Sequence, residues 1–169
     1  MKRLYLVMGP SGCGKSTLGK ELSHEMKLPF LEADDFHNKA NREKMAEGTP
    51  LRDEDRWGWL EAICLRVNRS DKDIVLACSA LKRKYRRFLA DRCDRQLKVL
   101  YLQVSEEELR DRVEQREAHF FPADLVKSQL ADLEEPSLEE FDEDQLLVIN
   151  GSSSIQRSLA TAKAYLQGP

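Results

Sequence analysis

Residues 9–16 read Gly9-Pro10-Ser11-Gly12-Cys13-Gly14-Lys15-Ser16, which satisfies the phosphate-binding pattern GxxxxGK[ST]. The residue types explain the chemistry. Glycines let the backbone curl until several N–H groups face one polyphosphate. A helix opening near Lys15 adds the positive end of its dipole. Lys15 can neutralise the β- and γ-phosphates, and the Ser16 hydroxyl can ligate Mg2+. An apolar run, Leu4-Tyr5-Leu6-Val7-Met8, precedes the loop and a helical pattern follows it. The motif therefore stands in the strand–loop–helix context it needs. A bound nucleoside triphosphate is the expectation, and the open question is the phosphate acceptor.

Three further clusters bear on that question. The second strand candidate runs into Glu32-Ala33-Asp34-Asp35-Phe36-His37. In open α/β sheets ligands gather at the carboxyl ends of strands. A carboxylate there can take the proton of an attacking hydroxyl, hold a magnesium-bound water, or cap the next helix. Asp34 alternates in phase with Glu32, so the two share a direction if the strand runs that far. Downstream, Asn41 and Lys44 lie three apart on one helical face, where they can read hydroxyls and a negative charge or simply face solvent. Asp53 reads as an N-cap, and Trp57, Trp59 and Leu60 as core or pocket lining. The third strand candidate leads into Ser79-Ala80-Leu81-Lys82-Arg83-Lys84-Tyr85-Arg86-Arg87, a basic cluster that suits an anion. That strand lacks a terminal Asp of the Walker B type, so magnesium falls to Ser16, with water-mediated help from Glu32 or Asp34. Arg112 and Arg116 are four apart. They can close over the phosphates as a lid of approximately residues 112–123, or pair along the helix with Glu108 and Asp111.

These groups need a scaffold. Strand candidates at 3–8, 29–33, 73–78, 97–103 and 145–149 alternate with helical patterns at 15–27, 38–47, 54–69, 82–92, 105–117, 123–134 and 153–167. Alternation of this kind predicts α/β architecture, with a central parallel five-stranded sheet flanked by helices in three layers. Ser105 to Glu108 reads as a capping box, Pro122 as a first-turn residue, and Ser152 to Ser154 as caps for the last helix. The acidic stretch Glu134 to Asp144 reads as a solvated connection. Asn150-Gly151, closing the last strand, is either an adenine contact or a turn.

The 169 residues suit a single domain, read here as 1–169. Hydrophobic residues make up 41 % of the chain, enough for a real core, and the net charge of −3 points away from duplex nucleic acid. Cys13, Cys64, Cys78 and Cys93 form no CxxC pair, which predicts free thiols in a reducing compartment. No apolar stretch is long enough to span a bilayer and no signal segment precedes the first strand, so the expectation is a cytoplasmic protein without a membrane partner.

The segments GPSGCGKST, ADDFH, NREKM, GTPLRDEDRWGWL, ACSALKRKYR and REAHFFPADLVKSQLADLEEP follow one another from about residue 5 to residue 136. In order and spacing they resemble the gluconate kinase (gluconokinase) family of small P-loop carbohydrate kinases. The phosphate loop alone is widely shared; the DDFH, CSALKRxYR and HFF segments are far more specific. The resemblance implies a nucleoside-monophosphate-kinase-like fold, ATP with Mg2+, phosphorylation of D-gluconate at its 6-hydroxyl, and a homodimer. It implies that Gly9 to Ser16 with Thr17, Arg112, Arg116 and Asn150 hold the nucleotide, that Asp34 is the base, and that Lys15 and Arg116 stabilise transfer. It further implies that His37, Asn41, Lys44, Arg56, Lys82, Arg86, His119 and Gln129 line the sugar-acid pocket or close over it. The chain departs from the family pattern at Asn38, Arg52 and Ala118, where Pro, Asn and Gly are usual. Two other readings stay open: a kinase for another aldonic acid, shikimate or a nucleotide, and a nucleotide-binding module without turnover.

Overall fold

The computed structural model describes residues 1–115 and 123–168. At its centre are five strands, β1 Arg3–Met8, β2 Phe30–Glu32, β3 Ile74–Ala77, β4 Gln96–Gln103 and β5 Leu146–Asn150, in the order β2-β3-β1-β4-β5. Every pairing is parallel. Parallel neighbours require crossovers, and helices supply them. These are α1 Lys15–Met26, α2 Lys39–Ala46, α3 Asp53–Asn68, α4 Arg83–Arg92, α5 Glu106–Gln115, α6 Ala123–Asp132 and α7 Ile155–Gln167.

The strands are buried on both faces, which is why they read as continuous apolar runs. On β1, Leu4, Leu6 and Met8 pack with Trp59, Leu60 and Ile63 of α3 and Leu89 of α4. Tyr5 and Val7 point the other way, into Leu18 and Leu22 of α1, Leu109 of α5 and Ala162 of α7. Two apolar layers thus sandwich the sheet, as the alternating pattern predicts. Among the described residues no helix is long and apolar enough to cross a membrane. The four cysteines are buried and free.

Several boundaries correct the sequence reading. β2 stops at Glu32, and Ala33–Phe36 forms a 3-10 turn. The Ala33 carbonyl accepts from Trp59 Nε1 at 2.6 Å instead of from a neighbouring strand. Glu32 and Asp34 therefore do not share a strand face. Asp53 lies inside the first turn of α3, and Arg52 is the N-cap residue. The Arg52 N–H donates to Asp55 Oδ2 at 2.8 Å, so the carboxylate reaching back is Asp55. Only half of the Ser105 box forms: Ser105 Oγ accepts from Glu108 N at 3.2 Å, while the Glu108 carboxylate turns to Arg112 and Ser152. Ser154 caps α7 through the Arg157 N–H, as expected. Pro122 and residues 116–117 of the expected fifth helix lie outside the described residues.

The acidic stretch after α6 is not merely a solvated connection. Glu135 accepts from the Tyr101 hydroxyl at 2.9 Å and from Gln103 Nε2 at 3.1 Å, both on β4. Glu140 takes a bidentate bond from Arg86, at 2.9 and 2.7 Å. The segment is strapped across one edge of the fold by its own acids.

Candidate active site

The phosphate loop leaves β1 at the middle of the sheet. Gly12 and Gly14 hold φ of +86° and +95°, which L side chains rarely adopt. Gly14 is the N-cap of α1, so Lys15 and Ser16 form the first turn and the helix N-terminus faces the loop. Two side chains brace the loop from distant parts of the chain. Gln129 of α6 accepts from Ser11 N at 2.6 Å and donates to Ser11 Oγ at 3.0 Å. Arg112 of α5 donates to the carbonyls of Gly12 and Cys13 at 3.1 and 3.3 Å, to Gly151 O at 2.6 Å, and to Glu108 at 2.5 Å. Gln129, expected at the acceptor pocket, is thus bound through both ends of its amide to the phosphate loop. Arg112 is fixed beneath the loop and also makes the i,i+4 pair with Glu108.

Beside this anchor a pocket is lined by Cys13, Gly14, Thr17, Arg112, Gly151 and Ser153. It adjoins the phosphate loop. Asn150 contributes to its wall indirectly: its Oδ1 accepts from Ser152 N at 3.0 Å and shapes the turn that presents Gly151.

On the other side of β1 lies the acidic turn. In the ladder Glu32 is level with Ala77 of β3, and Ala77 with Val7 of β1. Glu32 therefore reaches the first turn of α1, where Ser16 Oγ donates to Glu32 Oε2 at 2.5 Å. Asp34, two residues on, is exposed at this edge. Burial pushes the Cys78 thiol, at the end of β3, up to about 12. The charges of Asp34 and Glu32 raise it further and that of Lys15 opposes them. A hydroxyl and a carboxylate side by side at the loop suit a hydrated divalent cation on the phosphates. Among the described residues no group of three or more His, Cys, Asp or Glu side chains gathers into a protein-only metal site.

The turn that carries Asp34 is held from two sides. Trp59 binds Ala33 O as above, and its ring stacks on His37 at 4.4 Å. Arg42 of α2 donates to His37 O at 3.0 Å and to Asp35 O at 3.1 Å. Asn41 Nδ2 donates to Asp55 O at 2.7 Å, which fixes the amide orientation, and lies 3.2 Å from His37 Nδ1. His37 Nδ1 therefore accepts, and the neutral ring carries its proton on Nε2. Burial lowers the His37 pKa, Asp34 opposes the shift, and Arg56 and Arg42 add to it.

The basic residues divide into two sets. Arg56 and Lys82 flank the Tyr85 ring, at 5.4 and 5.9 Å from its centroid. Arg56 Nη1 donates to the Tyr85 hydroxyl at 3.0 Å, and that hydroxyl donates to Asp53. Asp53 also takes Lys84, and lies 3.5 Å from Lys82 Nζ. Hydrogen bonds from Lys84 and Tyr85, with the nearby Lys82 charge, hold the Asp53 carboxyl well below its usual range. Lys44 sits apart, with Nζ 2.9 Å from both Asp55 oxygens. Arg86 is fully buried among Glu140 and the carbonyls of Ala80 and Leu81. It cannot meet an acceptor from that position, which corrects its sequence reading. Arg116 and His119 lie outside the described residues.

Sequence reasoning missed Arg42, Tyr85 and Glu140. Each lies in a segment that carries the motifs or follows them, yet each acts by reaching a backbone or side chain that linear spacing does not reveal.

A parallel sheet in the order β2-β3-β1-β4-β5, with a phosphate loop after its central strand and acid and base groups at the same edge, defines a P-loop kinase fold. A family described as "AAA domain" matches residues 4–136. A probable gluconokinase of Schizosaccharomyces pombe is 43 % identical over 89 % of this chain and 82 % of its own. The gluconokinase of Gluconobacter oxydans is 44 % identical over 82 % and 79 %. The crystal structure of a gluconokinase from Sinorhizobium meliloti superposes with a TM-score of 0.86 at 37 % identity, covering 96 % of this chain and 90 % of that one. The chain belongs to the AAA-domain family of P-loop proteins and, within it, to the gluconokinases. A shikimate kinase from Aquifex aeolicus, 16 % identical with a TM-score of 0.66, shares the fold alone.

Proposed function

We propose that the chain transfers the γ-phosphoryl group of ATP to the 6-hydroxyl of D-gluconate, giving 6-phospho-D-gluconate. The observation that carries this reading is the shared edge. The Asp34 turn and the Arg56–Tyr85–Lys82 group stand at the carboxyl ends of the strands, beside the phosphate loop. A sugar acid needs a cation for its carboxylate at one end and a base near its hydroxyl at the other. The relatives' names point to the same acceptor.

In this reading the loop amides and Lys15 hold the triphosphate, and the pocket beside Arg112 takes the nucleoside. Asp34 receives the proton of the attacking hydroxyl, and Lys15 with Arg116 of the lid stabilises the phosphoryl in flight. Arg56, Lys82 and the His37 Nε2–H orient the acid, with Asn41 fixing the imidazole; Lys44 and His119 complete the pocket. Mg2+, held by Ser16 Oγ with Glu32 taking a coordinated water, would neutralise charge on the β- and γ-phosphates. The whole chain acts as one kinase domain, as a homodimer in the cytoplasm. A coupled ADP-release assay with Mg-ATP tests the reading, comparing D-gluconate with L-idonate, shikimate and nucleoside monophosphates. Turnover on gluconate supports it, and preference for another acceptor overturns the substrate assignment.

A further inference from the structure

We propose that Arg86 and Glu140 form a positioning pair that sets the backbone of residues 78–82 and so aims Lys82 at the acceptor. The inference rests on the reading of Lys82 as an acceptor-site cation.

Two successive carbonyls accept from the Arg86 side chain, and a third, that of Lys82, accepts its backbone N–H in the first-turn bond of α4. Its Nη1 donates to Ala80 O at 2.9 Å and to Leu81 O at 3.1 Å, and its backbone N–H donates to Lys82 O at 3.3 Å. The rest of the guanidinium is bound to Glu140, Nε to Oε1 at 2.9 Å and Nη2 to Oε2 at 2.7 Å. A second strap from the same acidic segment reaches the loop, since Glu134 N donates to Leu81 O at 2.8 Å. At its start the loop is tied to the sheet through Cys78 N and Val7 O at 3.1 Å. At its end Lys82 is the N-cap residue of α4, with its ammonium 3.5 Å from Asp53. The path between these points is an unfavourable one. Ala80 holds φ +43°, a conformation that residues with a side chain adopt only when their surroundings impose it.

A clamp on backbone carbonyls explains why an arginine stands here with no exposure. Stability alone does not call for it, because a buried ion pair is often no more stabilising than apolar residues of similar volume. What apolar residues cannot do is hold the carbonyls of a strained loop in one direction. Arg86 and Glu140 therefore act through Lys82 and touch no substrate themselves.

The same physics gives the test. Replacing both partners, Arg86→Met with Glu140→Leu, leaves no buried charge unpaired and removes the clamp. Arg86→Lys keeps a cation against Glu140 and loses the fork that reaches the Ala80 and Leu81 carbonyls, with a smaller disturbance to the fold. Both variants, with Lys82→Met as reference, go through steady-state kinetics with D-gluconate and ATP, and through urea denaturation. The expected result is a gluconate KM raised about tenfold or more in the double variant. Arg86→Lys should raise it in the same direction, with the ATP KM and the cooperative unfolding transition retained. Native gluconate KM in a folded double variant, or in Arg86→Lys should the double not fold, overturns the positioning role. If Lys82→Met also leaves the gluconate KM unchanged, the fault lies with the reading of Lys82 itself, and the proposal falls with it.

Discussion

Trp59 and His37 stack with ring centroids 4.4 Å apart and planes 13° apart, and the same indole donates to the carbonyl of Ala33. One side chain of α3 thereby holds both ends of the short turn on which Asp34 sits. Trp59→Phe keeps an aromatic ring and removes the donor. A buried carbonyl left without its partner costs about 1–3 kcal/mol. The expected outcome is a urea midpoint lowered to match, and a kcat that falls while the ATP KM holds. Parallel denaturation and kinetic measurements check it.

Asp34→Asn removes the proposed proton acceptor and keeps its shape. Loss of a general base lowers kcat by about 10²- to 10⁴-fold. ATP binding, read by fluorescence titration with a labelled nucleotide, should stay near the native value. Lys15→Ala should instead impair nucleotide binding and turnover together.

Gln129 provides two hydrogen bonds to Ser11 from the far end of the chain. Each is worth about 0.5–1.5 kcal/mol. Gln129→Ala, which removes both, is therefore expected to raise the ATP KM by about 5- to 150-fold. The gluconate KM should change little. The opposite split would return Gln129 to the acceptor pocket.

Burial lowers the His37 pKa below its ordinary value, with Asp34 opposing and Arg56 and Arg42 reinforcing. In the unfolded chain the ring takes up its proton near pH 6.5, and in the folded protein only at lower pH. Between those values the unfolded state binds more protons, so stability rises with pH there and is lost as the pH falls below about 6.5. The Asp53, Asp55 and Glu108 carboxyls, all held below their usual values, lose their contributions in a more acid range. Urea midpoints should therefore decline between about pH 7.5 and 5.5, and His37→Gln should flatten that decline.

The sheet and the phosphate loop were legible because both rest on local pattern. A run buried on both faces looks apolar throughout, and the loop's glycines mark the turns they permit. Arg86 was legible as a cation but not as a buried one. Its neutralising partner Glu140 lies 54 residues away, inside a stretch whose composition suggests solvent. Gln129 was misplaced for the same reason, since Ser11 lies 118 residues from it. The second strand was read one residue too far, to Ala33, because the apolar pattern continues there while the hydrogen bonding stops at Glu32. Arg116 and His119 fall outside the described residues, so their roles stand as proposed.

The position of β1 has a consequence for how the protein is made. β1 precedes the other four strands in the chain, yet it sits in the middle of the sheet, with Leu4 paired to Ile74 on one side and Leu97 on the other. A nascent chain that has not yet emerged through β4 offers this apolar strand only one of its two flanking partners. Long-range pairing of this kind slows folding and exposes sticky surface in the interval. The nucleotide loop follows β1 directly, yet its braces, Arg112 and Gln129, come later in the chain than β4. A ligand for it can capture the braced loop only after these segments have left the ribosome.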